Sequence, residues 1–396
     1  MPLRSPALAS LLVLIGAQAF AAAPSLPPPW LPLDPGAARC SVNGTDVELG
    51  NQALRFALAA HDNALVPVAF DNGFTQAPHA LKGELFSVST RDKTRLAASQ
   101  FRLDGLPTCG AIAGHADAAR AAERRSGVAL SATLTDAGTG LRVTWRAVLR
   151  DGANYVREEL RLESAAGADL AQVALLELEL DKAWTAGTSA GSPVIADDRF
   201  FGFEHPMAET RIDGTHALMF LRRALPLRAG VPVDYAAVFG VAPAGQLRRG
   251  FAAYLENERA TPFRTFLHYN SWYDIGYFTP YTEQEAVNVI ETYGRKLVKE
   301  RGVHMDSFLF DDGWDDHQHL WQFNEHFPHG FAPVRAAAER AGAAPGVWLS
   351  PWGGYGPPRQ ERLAAAKAGG YEVDDQGLAL SGSRYYALFH LSLIHI

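Results

Sequence analysis

A short apolar run in this chain closes on two aspartates, a glycine and a tryptophan: Ser307-Phe308-Leu309-Phe310-Asp311-Asp312-Gly313-Trp314. Following a helical pattern, such a run predicts a buried parallel strand. Adjacent carboxylates have no structural use at the end of that strand, yet the carboxyl ends of parallel strands are where α/β folds bind ligands. Two acids beside an indole suit a sugar. Carboxylates accept hydrogen bonds from hydroxyls, and an indole face covers the apolar C–H face of a ring. Taken alone, the stretch is equally a core strand followed by a capped turn at Asp312-Gly313.

Two further stretches favour the chemical reading. Thr265 to Tyr269 runs into Asn270-Ser271-Trp272-Tyr273-Asp274, and Gly346-Val347-Trp348-Leu349 runs into Ser350-Pro351-Trp352-Gly353-Gly354-Tyr355. Tryptophan with polar neighbours after every strand is hard to explain by packing, because strand carboxyl ends in a barrel face solvent. The candidate substrate-binding set is therefore Asn270, Trp272, Asp274, Asp311, Asp312, Trp314 and Trp352.

The elements that must hold these residues are legible from periodicity. Thr282 and Glu285 form a capping box, Ala286, Ile290, Tyr293 and Leu297 follow at helical spacing, and Gly302 ends that helix. Pro333 starts a second helix and Gly342 ends it, while a third runs from Arg359 to Lys367 and stops at Gly369-Gly370. Strand and helix alternating three times predict parallel strands with right-handed crossovers.

Upstream, residues from about Val47 to Val241 read as all-β. Leu141, Val143, Trp145, Ala147 and Leu149 recur at period two, as do Val156, Glu158, Leu160 and Leu162. Val173 to Leu180 is another strand, with Glu177 and Glu179 on its wet face. Many strands joined by tight turns predict a large β-sandwich. Asp117 to Arg125 reads as a short surface helix or loop. Arg199-Phe200-Phe201-Gly202-Phe203-Glu204-His205-Pro206 reads as a buried aromatic corner at a domain interface, the alternative being a loop that touches the second domain's site. Ala244 to Arg259 predicts a connecting helix with Leu247, Phe251, Tyr254 and Leu255 on one face. The expected layout is a signal peptide over 1–23, a β-sandwich over 24–243, a linker helix over 244–261 and part of a (β/α)8 barrel over 262–396.

The chain has 396 residues, 47% hydrophobic and 20% charged, enough for two or three globular domains. A net charge of −7 with no long basic run argues against a nucleic-acid partner. Arg4, the run Leu11-Leu12-Val13-Leu14-Ile15 and the small-residue site Ala19-Phe20-Ala21 form an export signal, too short in its apolar part to span a bilayer. The expected destination is the periplasm or the medium, with no membrane anchor. Cys40 and Cys109 are the only cysteines; in an oxidising compartment they can pair, and two unpaired thiols are the alternative. Leu391-Ser392-Leu393-Ile394-His395-Ile396 look like a translated sequencing adapter, so the gene is expected to continue differently after Phe389.

The order Asn270-Ser271-Trp272, Asp311-Asp312-Gly313-Trp314, Phe327-Pro328-His329-Gly330 and Gly346-Val347-Trp348 resembles the α-galactosidases of glycoside hydrolase clan D. It is most similar to the family numbered thirty-six, which carries a β-sandwich before its (β/α)8 barrel. Gly202-Phe203-Glu204-His205-Pro206 is similar to related bacterial members, and the specific resemblance runs from about Thr265 to Trp352. It implies that Asp311 and Asp312 bind hydroxyls of a terminal galactose and that Trp272 lines the sugar subsite. It further implies an oligosaccharide or glycoconjugate substrate and no cofactor. Ser350-Pro351-Trp352 departs from the family's pattern after the third strand, which leaves an α-N-acetylgalactosaminidase or another α-glycosidase as an alternative. A sugar-binding protein without catalysis is a third.

Asp311 and Asp312 are not expected to be the catalytic pair. A retaining glycosidase needs two carboxyls about 5–5.5 Å apart across the anomeric carbon, and neighbours on a strand point to opposite faces. In the resembled family the nucleophile follows the fourth strand and the acid/base the sixth. The chain is expected to stop before either, since 262–396 is about half of the roughly 250 residues a barrel takes. No nucleophile is named, and the chain is expected to be an inactive fragment. Asp311, Asp312, Asp315, Asp316, His317 and His319 also form an acid- and imidazole-rich cluster of the kind that binds Zn²⁺ or Ca²⁺. No His-x-x-x-His pair accompanies it, and a solvated loop with no metal is the expected reading.

Overall fold

Alternation of apolar and polar residues builds most of the first two-thirds of the chain. The computed structural model describes residues 31, 33–276, 279–350 and 353–374. Three antiparallel sheets form the β region. A four-stranded sheet runs Arg39–Asn43, Asp46–Gly50, Leu54–His61 and Ala64–Asn72. A nine-stranded sheet has Gly127–Asp136, Leu141–Arg150, Tyr155–Ser164 and Val233–Val241 at its centre. A six-stranded sheet is centred on Leu170–Glu179. All three sheets feed one core, which joins Phe56 and Phe70 to Trp145, Phe239, Leu176 and Met219.

The period-two reading of Leu141 to Leu149 holds, since all five apolar residues are buried. Glu158 sits on the same inward face as Leu160 and is fully buried. Its Oε1 accepts the Trp145 indole N–H at 2.5 Å, and burial pushes its carboxyl well above the usual range. Cys40 and Cys109 are disulfide-bonded, with Cα atoms 5.8 Å apart, so the first strand is tied to Thr108–Ile112. Within the stretch Asp117 to Arg125, a short 3₁₀ turn forms over Ala121–Arg124.

The aromatic stretch becomes the strand Arg199–Phe203, and Phe200 and Phe201 are fully buried. Phe200 packs edge-to-face on Phe251 of the connecting helix Leu247–Glu258, ring centres 5.2 Å apart. Gly240 leaves room for that contact: a Cβ there would come within 1.9 Å of the Phe200 ring. Glu204 accepts from Arg157 Nε and from the Tyr254 hydroxyl, both at 2.8 Å. The stretch is thus buried and aromatic, as expected, and it packs on the connecting helix. Glu204 and His205 line a groove of the β region, with Arg157 and Asp234, and not the site described below. Leu255, expected on the packed face of the helix, is 43% exposed, whereas Tyr254, expected beside it, is buried there.

After this helix the pattern changes to parallel. His268–Asn270, Ser307–Phe310 and Ala344–Val347 lie side by side in sequence order. The first strand starts three residues later than expected, and the third is displaced by two toward the amino terminus. Helix Glu283–Tyr293 opens on the Thr282–Glu285 capping box and runs into a π-helical turn over Gly294–Lys299, ending at Gly302 with φ +67°. Ala332–Arg340 and Gly356–Ala368 are the other two helices. This segment has its own core of Tyr269, Ile290, Phe308, Phe310, Val334 and Ala338. Arg228 and Glu372 form an ion pair that links it to the β region. The leader, its cleavage site, Trp352 and the stretch Tyr385 to Ile396 lie outside the described residues. No described helix is long and apolar enough to cross a membrane.

Candidate functional site

The three parallel strands deliver their following residues to one end of the sheet, where a cavity of about 550 Å³ opens. That volume suits a small ligand. Trp272, Asp311, Asp312, His317, Trp348 and Tyr355 are among its lining residues.

The Asp311-Asp312 turn is fixed from behind by neighbouring elements. Ser271, fully buried after the first strand, accepts the Asp311 amide on its Oγ at 2.8 Å. The Tyr281 hydroxyl donates to the Asp311 carbonyl at 2.6 Å, and burial raises that phenol's pKa. Asp311 Oδ1 accepts the Asp312 amide at 2.8 Å. Gly313 has φ +120°, and a Cβ there would stand 3.1 Å from the Tyr281 ring, so the turn needs glycine.

The cation of the site comes from the third helix. Arg362 is fully buried and grips Asp315 with Nε to Oδ2 at 2.8 Å and Nη2 to Oδ1 at 2.7 Å. Nη2 also donates to Asp312 Oδ1 at 2.5 Å, and Nη1 to the Gly353 carbonyl at 3.0 Å. Its guanidinium carbon lies 4.9 Å from the Trp321 ring centre and 5.6 Å from that of Trp348. Burial works against this charge, but hydrogen bonds and the charges of Asp315 and Asp312 outweigh it and hold Arg362 above its ordinary pKa. The result is a buried fork that fixes one oxygen of Asp312.

The expected site residues separate into three groups. Trp272, Asp311 and Asp312 meet at the cavity. Trp314, Asn270 and Asp274 do not line it. Trp314 is 4% exposed and packs on Trp321, Phe323 and Phe331, with its indole N–H donating to the Trp348 carbonyl at 3.2 Å. It serves the aromatic core, because the left-handed Gly313 reverses the chain just before it. Asn270 caps the following turn, its Oδ1 accepting the Trp272 amide at 2.8 Å, and Asp274 accepts from the Tyr269 hydroxyl at 2.9 Å. Trp352 lies outside the described residues.

Sequence reasoning missed Arg362 and Trp348 as parts of this site, whereas Tyr355, read at the end of the third strand, lines the cavity. The available signal was an arginine on a helix face with Leu363 and Ala366, all three of them buried. Asp315 and His317 were noticed only as metal candidates. Ligand atoms of Asp312, Asp315 and His317 do lie within 4.8 Å of one another. The Arg362 guanidinium, however, already supplies the positive charge between the two acids, which disfavours a dication there.

No protein-family model matches the sequence, and no curated protein matches it. Solved structures do. The GH36 α-galactosidase AgaB from Geobacillus stearothermophilus superposes with a TM-score of 0.50 at 15% identity, over 79% of this chain and 57% of that one. The α-galactosidase from Lactobacillus brevis gives 0.48 at 14% identity, over 79% and 56%. A variant of AgaA from Geobacillus stearothermophilus in complex with raffinose gives 0.46 at 15% identity, over 78% and 56%. The chain thus spans a little over half the length of these structures, and what it shares with AgaB is the fold.

Proposed function

We propose that the cavity holds the terminal sugar of an α-galactoside and that the chain is part of a retaining glycoside hydrolase. On this reading the three parallel strands are the first of a (β/α)8 barrel over 262–396, joined through residues 244–261 to a β-sandwich over 24–243. The observation that carries it is the Asp311-Asp312 pair on the wall of a cavity also lined by Trp272. Carboxylates for hydroxyls and an indole for a C–H face are what a pyranose requires. Arg362 occupies one oxygen of Asp312, which leaves the other for a sugar hydroxyl. The likeness of fold to an α-galactosidase supports the sugar class. Export, proposed from the leader over 1–23, agrees with the Cys40–Cys109 disulfide.

Asp311 and Asp312 bind and are not the reacting pair, since neighbouring residues do not converge on one anomeric carbon from opposite sides. The test is a calorimetric titration with galactose. Asp311→Ala and Asp312→Ala should each weaken binding about 5- to 150-fold, because each leaves sugar hydroxyls unpaired at about 1–3 kcal/mol. Equal affinity in the parent and both variants would sink the reading.

A further inference from the structure

The β region holds a second concavity, which shares no lining residue with the cavity at the strand ends. It is a groove of about 470 Å³ on the nine-stranded sheet, on the face opposite to Glu158 and Leu162. Its floor crosses three paired strands. Glu159 of the middle strand stands between Arg146 on one side and Ala236 on the other, and Arg161 stands between Thr144 and Asp234. Alanine and threonine are short where the arginines are long, so the face is hollow between them. Glu204 and His205 close the side where the strand Arg199–Phe203 ends. His205 is held there, its Nδ1 accepting the Met207 amide at 3.1 Å and its ring meeting Phe203 edge-on.

The hydrogen bonds already made decide what the groove can bind. Glu159 accepts Arg157 Nη1 on one oxygen at 2.6 Å and Arg146 Nη1 on the other at 2.7 Å. Glu204 accepts Arg157 Nε on one oxygen and the Tyr254 hydroxyl on the other. Both glutamates are thus engaged on both oxygens. The arginines keep capacity. Among the described residues Arg146 donates through one of its three nitrogens, and Arg161 reaches Asp234 only at 3.4 Å, long for a charged pair. Asp234 is 67% exposed, so water screens its hold on Arg161. Arg146 and Arg161 are diagonal neighbours on paired strands, roughly 7–8 Å apart at the backbone and within reach of one small ligand. A guanidinium fork matches two oxygens of an oxyanion.

We propose that this groove binds an oxyanion between Arg146 and Arg161, carried by an acidic sugar or free as phosphate. The ligand takes the guanidinium nitrogens that the glutamates leave open and displaces Asp234 from Arg161. The Glu204-His205 turn serves as its wall. This site does not depend on the sugar reading of the other cavity.

Calorimetry on the whole chain at low salt tests this with D-glucuronate, inorganic phosphate and D-glucose. At least one of the two anions should bind, and glucose, which lacks the carboxylate, should not. Arg146→Gln and Arg161→Gln should each weaken anion binding about 10- to 100-fold, the loss of a charge-assisted contact. Both side chains are at least 40% exposed, and thermal melting checks that both variants keep the fold. Binding of glucuronate alone identifies an acidic sugar as the source, and binding of phosphate identifies a free anion. Binding of neither anion, equal binding of glucose and glucuronate, or an affinity that survives both substitutions would overturn the proposal.

Discussion

Arg362 and Asp315 share a two-nitrogen grip in which both side chains are fully withdrawn from water. The same guanidinium also holds one oxygen of the cavity-lining Asp312, so its loss acts on the buried pair and on the cavity wall together. Arg362→Met should lower the unfolding free energy by about 3–5 kcal/mol, because Asp315 is left as a buried charge without a partner. Arg362→Lys keeps the charge but loses the fork and should still weaken galactose binding. Urea denaturation and calorimetry check these outcomes, and an unchanged midpoint in Arg362→Met would contradict the first.

Glu158 gives the β region a pH dependence with a definite sign. Burial raises the pKa of its folded carboxyl, while the unfolded one titrates near the ordinary glutamate value of 4.5. Between those two pKa values the folded chain keeps a proton that the unfolded chain has released. The stabilisation is therefore complete below the unfolded value and falls as pH rises toward the folded one. Glu158→Gln retains an oxygen for the Trp145 N–H and cannot ionise. Its stability relative to the parent should rise from pH 5 to pH 8 in denaturant melts, and a constant difference across that range would be evidence against this role.

Gly240 lies directly under the Phe200 ring of the neighbouring strand, the ring that packs on the connecting helix. An alanine there drives a methyl into the Phe200 ring. The cost should be about 1–3 kcal/mol, as for other overpacked sites. Gly245→Ala, which meets no atom within 4 Å but has φ +67°, reports left-handed strain alone. Thermal melting that ranked the two variants the other way would show that the Phe200 contact yields easily.

The Cys40–Cys109 bridge closes a sequence separation of 69 residues. Cys40→Ser with Cys109→Ser should cost about 2–4 kcal/mol, mainly through the unfolded chain. The same loss should follow treatment of the parent protein with a reductant. Identical unfolding midpoints with and without the bridge would disprove that contribution.

Local pattern carried most of the fold. Period-two runs such as Leu141 to Leu149 and the Thr282–Glu285 box are written in adjacent residues, and both formed where expected. Asp311 and Asp312 became legible only beside the polar and aromatic residues after the other two strands, since a polar pair ending an apolar strand is also turn chemistry. Trp314 was not legible. Whether an indole after a turn points to ligand or to core depends on the left-handed Gly313 and on Trp321, Phe323 and Phe331, which arrive later in the chain. Arg362 was hidden more deeply. A charged residue on a helix face reads as solvated until the two acids it answers, 47 and 50 positions earlier, are placed against it.

That separation also has a consequence for biosynthesis. Asp312 and Asp315 leave the ribosome well before Arg362, and at roughly 5–20 residues per second the interval is about 2–10 s. Until then Asp315 has no guanidinium to pair with, although Ser271 and Tyr281, already made, can hold the Asp311-Asp312 turn. Docking of the third helix brings Arg362 onto both acids. A pause or a slow codon run between Asp315 and Arg362 would prolong the stage at which the cavity wall lacks its cation.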